Sequence, residues 1–269
     1  MSQPIVTVHI MGGLGNQLFQ LAAAYAYAKK EGGKLCIRHI TENGDRPVYW
    51  DTLLHRIQPY LVASLPHLPI WQESLPTMYQ EIGPLFPSGL QLHGYLQTSK
   101  YWKERKEEIH ALFSADDTLV SSLSPTYQYL LDNKDRVVVV HARRTDYLKT
   151  PGHVQFHGPL TGDYYRRAIS RIQVTNPIWV LTSDDNRFWT EIESDLVGIH
   201  TPILLMESSD IRAFALLQQF QHFILSNSTF IWWCAWLSGA TDVIVPSQWF
   251  GPTGPHPFDD IYEDHWVKI

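Results

Sequence analysis

Four ionisable side chains crowd the tip of one apolar run. In VVVVHARRTDYL, residues 137–148, four valines lead straight into His141, Arg143, Arg144 and Asp146. The valines read as a strand buried on both faces, as in a parallel sheet. A guanidinium grips a phosphate through two parallel N–H bonds, so an arginine pair at a strand end points to a phosphate-bearing anion. Side-chain alternation sends His141 and Arg143 to one face and Ala142 and Arg144 to the other, provided the strand continues that far. The two arginines then do different work: one meets the anion, and the other pairs with Asp146 and holds the loop. Ordinary surface ion pairing does not account for so many charges packed at one strand end.

Three more loops offer groups to a ligand. MGGLGNQL places Gly12, Gly13 and Gly15 before an apolar helix. Glycines allow close backbone approach, and the helix start adds a positive field. The loop half-matches a dinucleotide fingerprint, yet Leu18 stands where the third glycine belongs, and the second strand ends in Arg38-His39 rather than an acid. It is not a P-loop either, since no Gly-Lys-Ser/Thr follows. Packing explains the glycines but not the polar pair Asn16-Gln17. In TSDDN, Asp184 or Asp185 could accept from a ribose or a base edge, or cap the next helix. In SNSTF, Asn227, Ser228 and Thr229 open a helix, and the two hydroxyls with their N–H groups suit a phosphate. Asp210 opens another helix near a strand end, where a cap and a base-reading acid look alike. His157 follows the arginine loop as a possible proton acceptor. There is no Asp-x-Asp and no His/Cys/carboxylate set with ligand spacing, so no metal site is expected. Two arginines and a helix start would then neutralise a leaving diphosphate.

These loops need a scaffold, and the chain supplies alternating strands and helices. Ile5–Ile10, KLCIRHI, VVVVHA, PIWVLTSDD, TPILLM, HFILSN and DVIVPS read as strands. Helical periodicity follows the glycine loop until Gly32-Gly33, and recurs in SKYWKERKEEIHALF, TGDYYRRAISRIQ, NRFWTEIESDL, SSDIRAFALLQQF and STFIWWCAWLSG. Residues 44–92 are rich in Pro, Gly and aromatics and read as irregular. The pattern predicts an α/β fold of two Rossmann-like lobes facing a cleft, with residues 1–132 as the N-terminal lobe and 133–269 as the C-terminal lobe. The 269 residues suffice for real cores, and 44% hydrophobic with 18% charged residues is a globular composition. A net charge of −6 argues against a general nucleic-acid partner, so the anion site must be local. Most of the ten tryptophans are expected in the core, and Cys36 and Cys234 as buried free thiols. The start carries no secretory pattern, and runs such as FIWWCAWL are too short to span a bilayer. These features predict a cytoplasmic protein without an integral membrane segment, in which the Asn227 sequon is accidental.

HIMGGLGNQLFQ, GYLQTSKYW, HARRTDYL, SNSTFIWWCAWL, PSQWF and DIYEDHWVKI resemble, in order, the signatures of the bacterial-type α-1,2-fucosyltransferases, family 11 of the glycosyltransferases. The matches span Val8 to Ile269. The His-x-Arg-Arg-x-Asp signature is also similar to that of α-1,6- and protein O-fucosyltransferases. The resemblance implies a GT-B-type, metal-independent enzyme that takes GDP-fucose as donor, requires no further cofactor and releases GDP. It implies inverting transfer of L-fucose to the 2-hydroxyl of a terminal galactose, on an oligosaccharide or a lipid-linked glycan. A lipid-linked acceptor would bring the protein to the inner face of the membrane. The resemblance gives Arg143 the β-phosphate, His141 a place beside the nucleotide, Asp210 the guanine edge, Ser228 and Thr229 the phosphate-side helix start, and Asn16 a place near the reacting sugar. The C-terminal lobe then binds donor and the N-terminal lobe serves mainly the acceptor. Arg144 is left to pair with Asp146. Asp146 and His157 are the candidate bases. Rival readings are another sugar-nucleotide transferase or a non-catalytic GDP-sugar-binding protein.

Overall fold

The structure, a computed structural model, describes residues 3–44, 46–123 and 126–269. The chain divides into two compact units. The first runs to Ser114 and takes back Pro255–Glu263; the second comprises Ala115–Gly254 and Asp264–Ile269. The division thus falls at 114/115 instead of 132/133. Residues past Ala115 belong with the second unit because Ala115 N–H donates to the Gln218 side chain at 3.0 Å and Arg212 donates to the Ser122 carbonyl at 3.0 Å.

The first unit holds a parallel sheet of β1 (Ile5–Val8), β2 (Lys34–Leu35), β3 (Ile70–Gln72) and β4 (Gly89–His93), in the order β2-β1-β4-β3. Helix α1 (Leu14–Glu31) follows β1 and is buried almost throughout from Leu14 to Ala28. Its apolar surface goes all the way round, which suits a helix enclosed by its unit. Gly32, at φ 68°, ends it. Two expectations change here. The second strand breaks at Cys36, and Ile37–Arg38 turns to pair with Leu61–Val62. The region 44–92 is not irregular throughout: it contributes β3 and β4, and β4 is an interior strand paired with β1 from Gly89 to Leu92. Gly89 hides it in the sequence. There φ is 113°, and a Cβ would collide with the Ile5 carbonyl, so the strand needs a residue that weakens any strand pattern.

The second unit is built on six parallel strands: β5 (Val137–Ala142), β6 (Ile178–Ser183), β7 (Ile203–Leu204), β8 (His222–Ile224), β9 (Asp242–Val245) and β10 (Val267–Lys268), ordered β7-β6-β5-β8-β9-β10. All six residues of β5 are buried. Each fully buried valine there contributes roughly 1.5–3 kcal/mol. Helices α2 (Pro151–His157), α3 (Gly162–Ile169), α4 (Asp210–Leu217) and α5 (Thr229–Leu237) lie between strands in the chain. From β5 the chain moves outward to β6 and β7; from β8 it moves outward the other way to β9 and β10. The β5/β8 boundary is therefore a topological switch point, where ligands of such sheets bind.

The alternating pattern thus predicts the class correctly, two α/β units with parallel sheets. Trp102, Trp232 and Trp233 are among the largest fully buried side chains, and Cys36 and Cys234 are free and buried. Among the described residues no helix is long and apolar enough to cross a membrane.

Candidate functional site

Strand β5 stops at Ala142, so both arginines lie past it in a turn, outside the reach of strand alternation. They still diverge. Arg143 Nε and Nη2 each donate at 2.9 Å to the two oxygens of Asp146, and Nε lies 3.3 Å from Asp184 Oδ2. Its Nη1 has no hydrogen-bond partner among the described residues, so one edge of the fork is open. Burial opposes the charge on Arg143, yet the Asp146 and Asp184 carboxylates more than offset it. Arg144 turns away: Nη1 donates to the Leu160 carbonyl at 3.0 Å, and its guanidinium sits 4.1 Å over the Phe188 ring. The expected Arg144–Asp146 pair is therefore replaced by Arg143–Asp146. Within the turn, residues three apart face one another, which brings Asp146 to the first arginine. Arg144 keeps its loop-holding role with other partners.

Asp184, expected to meet the nucleotide, lies under the arginine turn. It accepts Arg144 N–H at 2.7 Å, Thr145 N–H at 3.1 Å and the Thr145 hydroxyl. Asp185 caps the next helix through Arg187 N–H at 3.2 Å and pairs with the Arg187 guanidinium. His141 is buried. Its Nδ1 lies 2.8 Å from Ser226 Oγ, and its carbonyl accepts the Tyr165 hydroxyl at 3.1 Å. Burial drives the imidazole down to about 3; the Asp184 carboxylate opposes the fall and Arg143 adds to it. His141 is neutral at pH 7 and joins the ends of β5 and β8.

The loop after β8 stands beside the arginine turn. Asn227, at 3% exposure, cannot be a glycosylation acceptor; its amide donates to the carbonyls of His157 at 2.6 Å and Trp249 at 2.9 Å. The Asn227 carbonyl accepts the Tyr147 hydroxyl at 2.6 Å, and Tyr147 stacks on His157 at 4.1 Å with an angle of 4°. Burial is the main cause lowering the His157 pKa, against the pull of Asp146. Ser228 precedes α5 and makes no side-chain cap, which leaves a positive helix start at Thr229 next to the arginine turn. Asp210 is exposed at the start of α4; Ser209, not Asp210, accepts the capping bond from Arg212 N–H. His141, Arg143, Asp146, Asp184, His157 and the Asn227–Thr229 loop thus gather at the switch point.

In the first unit, Gly12 has φ 74°, and its carbonyl accepts the Gln17 and Asn43 amides, each at 3.0 Å. A Cβ on Gly12 would lie 2.5 Å from Asn16 Nδ2, whereas one on Gly13 would meet nothing within 4 Å. That open space suits a ligand approaching the backbone. Gly15 is buried in the first turn of α1. Asn16 Oδ1 accepts from Gln97 Nε2 at 2.8 Å. Gln97, inside GYLQTSKYW, and Glu73 carry no signal of a role in the sequence. Tyr147, Thr145 and Ser226 were also missed, each one or two residues from an assigned residue.

Against known proteins, the family described as Glycosyl transferase family 11 matches residues 3–269. The chain is 23% identical to an Alpha-1,2-colitosyltransferase of Escherichia coli, over 98% of this chain and 99% of that one. It is 26% identical to Galactoside alpha-(1,2)-fucosyltransferase 2 of Oryctolagus cuniculus, over 93% of this chain and 71% of that one. Among solved structures it shares the fold of POFUT1 in complex with GDP, at a TM-score of 0.55 and 13% identity over 90% and 98% of the two chains. It also shares that of fucosyltransferase NodZ from Bradyrhizobium, at a TM-score of 0.54 and 14% identity over 96% and 98%.

Proposed function

The chain belongs to glycosyltransferase family 11, and from that premise we propose that it transfers L-fucose from GDP-fucose, with inversion, to the 2-hydroxyl of a terminal galactose in a glycan. The observation that carries the reading is the half-open Arg143 fork, held by Asp146 and Asp184 beside the uncapped start of α5. Both features sit at the β5/β8 switch point and suit one diphosphate. Relatives named as α-1,2-fucosyltransferases and a structural neighbour holding GDP support the same donor class.

The bond from fucose C1 to the β-phosphate oxygen breaks, and its electron pair leaves with GDP. The acceptor oxygen bonds to C1 from the opposite face and loses its proton to solvent or to His157, whose imidazole burial keeps unprotonated. An oxocarbenium-like transition state asks little of a base. Its main demand is charge stabilisation on the leaving diphosphate, and Arg143 with the α5 N–H groups answers it; one such donor is worth about 3 kcal/mol of barrier. Asp146 holds the fork and Asp184 holds the turn. We assign donor binding to the second unit, with Asp210 as the guanine-edge acid, and the acceptor chiefly to the first, with Asn16 near the reacting sugar. The reading includes transfer that persists in EDTA and a cytoplasmic setting.

The test mixes purified protein with GDP-fucose and a galactoside panel that includes lactose, and follows GDP release and product linkage. An α-1,2-fucosylated product is expected. GDP binding without turnover would leave a GDP-sugar-binding protein. Preference for a colitose donor would move the chain to the activity named for its Escherichia coli relative.

A further inference from the structure

Glu73 is a carboxyl group enclosed in the first unit, directly after β3. It is 7% exposed, and among the described residues it has no ion-pair partner. Tyr95 N–H donates to its Oε2 at 2.6 Å, and Leu96 N–H reaches Oε1 at 2.9 Å and Oε2 at 3.1 Å. Its own N–H donates to the His93 carbonyl at 2.9 Å. The donors belong to the loop after β4, in which Thr98 N–H donates to the Leu96 carbonyl at 2.8 Å. Leu96 sits in the left-handed region at φ 55°, where a side chain is disfavoured, and is fully buried. A Cβ at Gly94 would collide with the Glu73 side chain, so the loop closes tightly over this one carboxyl. The next residue is Gln97. Its N–H goes to the Pro76 carbonyl at 3.0 Å, and its side-chain amide goes to Asn16 Oδ1 at 2.8 Å.

We propose that Glu73 is a positioning residue for sugar transfer, whose ionised carboxylate sets the Gly94–Thr98 loop so that Gln97 fixes Asn16. This rests on the reading of Asn16 as a residue near the reacting sugar. The ionised form is the one that fits, since both oxygens face N–H donors and a proton on either would meet a donor. Burial pushes the carboxyl up to about 7 against the pull of the Leu96 and Tyr95 N–H groups. The titratable group facing it is Tyr101, whose phenol is raised by burial and by the Glu73 charge and stays protonated. Tyr79 and Asp260 bear on Tyr101 in turn, and Lys100 pairs with Asp260 at 2.6 Å. Among the described residues no cation offsets the cost of burial, so the closed loop takes up a proton as pH falls through the neutral range, and the hydroxyl that then faces an N–H donor shifts the loop from its set. A carboxyl serving only stability would leave the pH dependence of turnover untouched.

The experiment compares wild type with Glu73→Gln. Turnover of the variant is expected to fall by at least about tenfold, because its amide presents a donor to a backbone N–H. GDP affinity, assigned to the second unit, stays within about twofold. Wild-type kcat falls from pH 8 to pH 6 with a midpoint near 7, and the variant profile is flat across that window. In parallel, hydrogen exchange on the wild type reads the Tyr95 and Leu96 amides, corrected for intrinsic rates. Their protection is expected to rise by roughly tenfold from pH 8 to pH 6, because the closed loop takes up a proton that the opened, hydrated carboxylate does not. This readout needs neither substrate nor a variant that folds, and it decides the Glu73 assignment even for a protein that transfers no sugar. Wild-type kcat in the variant, or unchanged protection of the two amides across that range, overturns the proposal.

Discussion

Asp184 separates two kinds of site residue, one that touches ligand and one that holds what touches ligand. Its carboxylate accepts two backbone N–H groups, from Arg144 and Thr145, and lies 3.3 Å from Arg143 Nε. Asp184→Asn keeps the shape but turns an NH2 group toward at least one of those donors. A hydrogen bond to a charged acceptor is worth roughly 1.5–3 kcal/mol, so two suggest about 3–6 kcal/mol. The side chain is 18% exposed, and water entering the gap reduces the loss. The expected cost is then about 2–4 kcal/mol. With a urea slope near 2 kcal/mol/M, the unfolding midpoint of the ligand-free protein drops by about 1–2 M. The assay is urea unfolding without ligand, followed by fluorescence of second-unit tryptophans, with GDP calorimetry on the same samples. GDP affinity also falls, because Arg143 loses one of its two carboxylates. An unchanged ligand-free midpoint together with collapsed GDP affinity would refute the reasoning and make Asp184 a direct ligand group.

Arg143→Lys keeps a positive charge but loses the two-pronged grip on Asp146 and the open edge for phosphate; steady-state kinetics should show kcat down on the order of 100-fold. Gly12→Ala puts a Cβ at φ 74° and 2.5 Å from Asn16 Nδ2. The strain is about 1–2 kcal/mol, and turnover should fall by about tenfold or more while calorimetry finds GDP affinity unchanged. Burial holds the folded His141 imidazole down at about 3, against the ordinary 6.5 of the unfolded chain. Between those values only the unfolded chain takes the proton, so its contribution is complete above pH 6.5 and is lost as pH falls. On going from pH 7.5 to 5.5, urea unfolding should show wild type losing stability relative to His141→Asn, at about 1.4 kcal/mol per pH unit below 6.5.

Much of the second unit was legible because its signals are local. A run of valines is a strand whatever surrounds it, and β5 came out buried at every position. The cluster of charges at its end marked the candidate site for the same reason. What the sequence could not settle was which charge meets which. Alternation along a strand orders side chains only while the strand lasts, and β5 stops one residue before Arg143. The turn that follows obeys its own geometry and gives Asp146 to Arg143. Asp184, Ser226 and Asn227 enter from strands distant in sequence, and their partners depend on sheet order. In the first unit the miss ran deeper. Gly89 weakens the pattern of an interior strand, and without β4 there was no frame on which to set Gln97 against Asn16 or Glu73 against Leu96. The residues proposed to touch ligand announce themselves by type, as arginines and glycines do. Those that hold them, such as Glu73 and Asp184, are single acids whose meaning lies entirely in the backbone N–H groups they face. Sequence alone assigns such an acid a cap or a surface position. Only the fold shows that removing it would leave two backbone donors unpaired and the loop they belong to unheld.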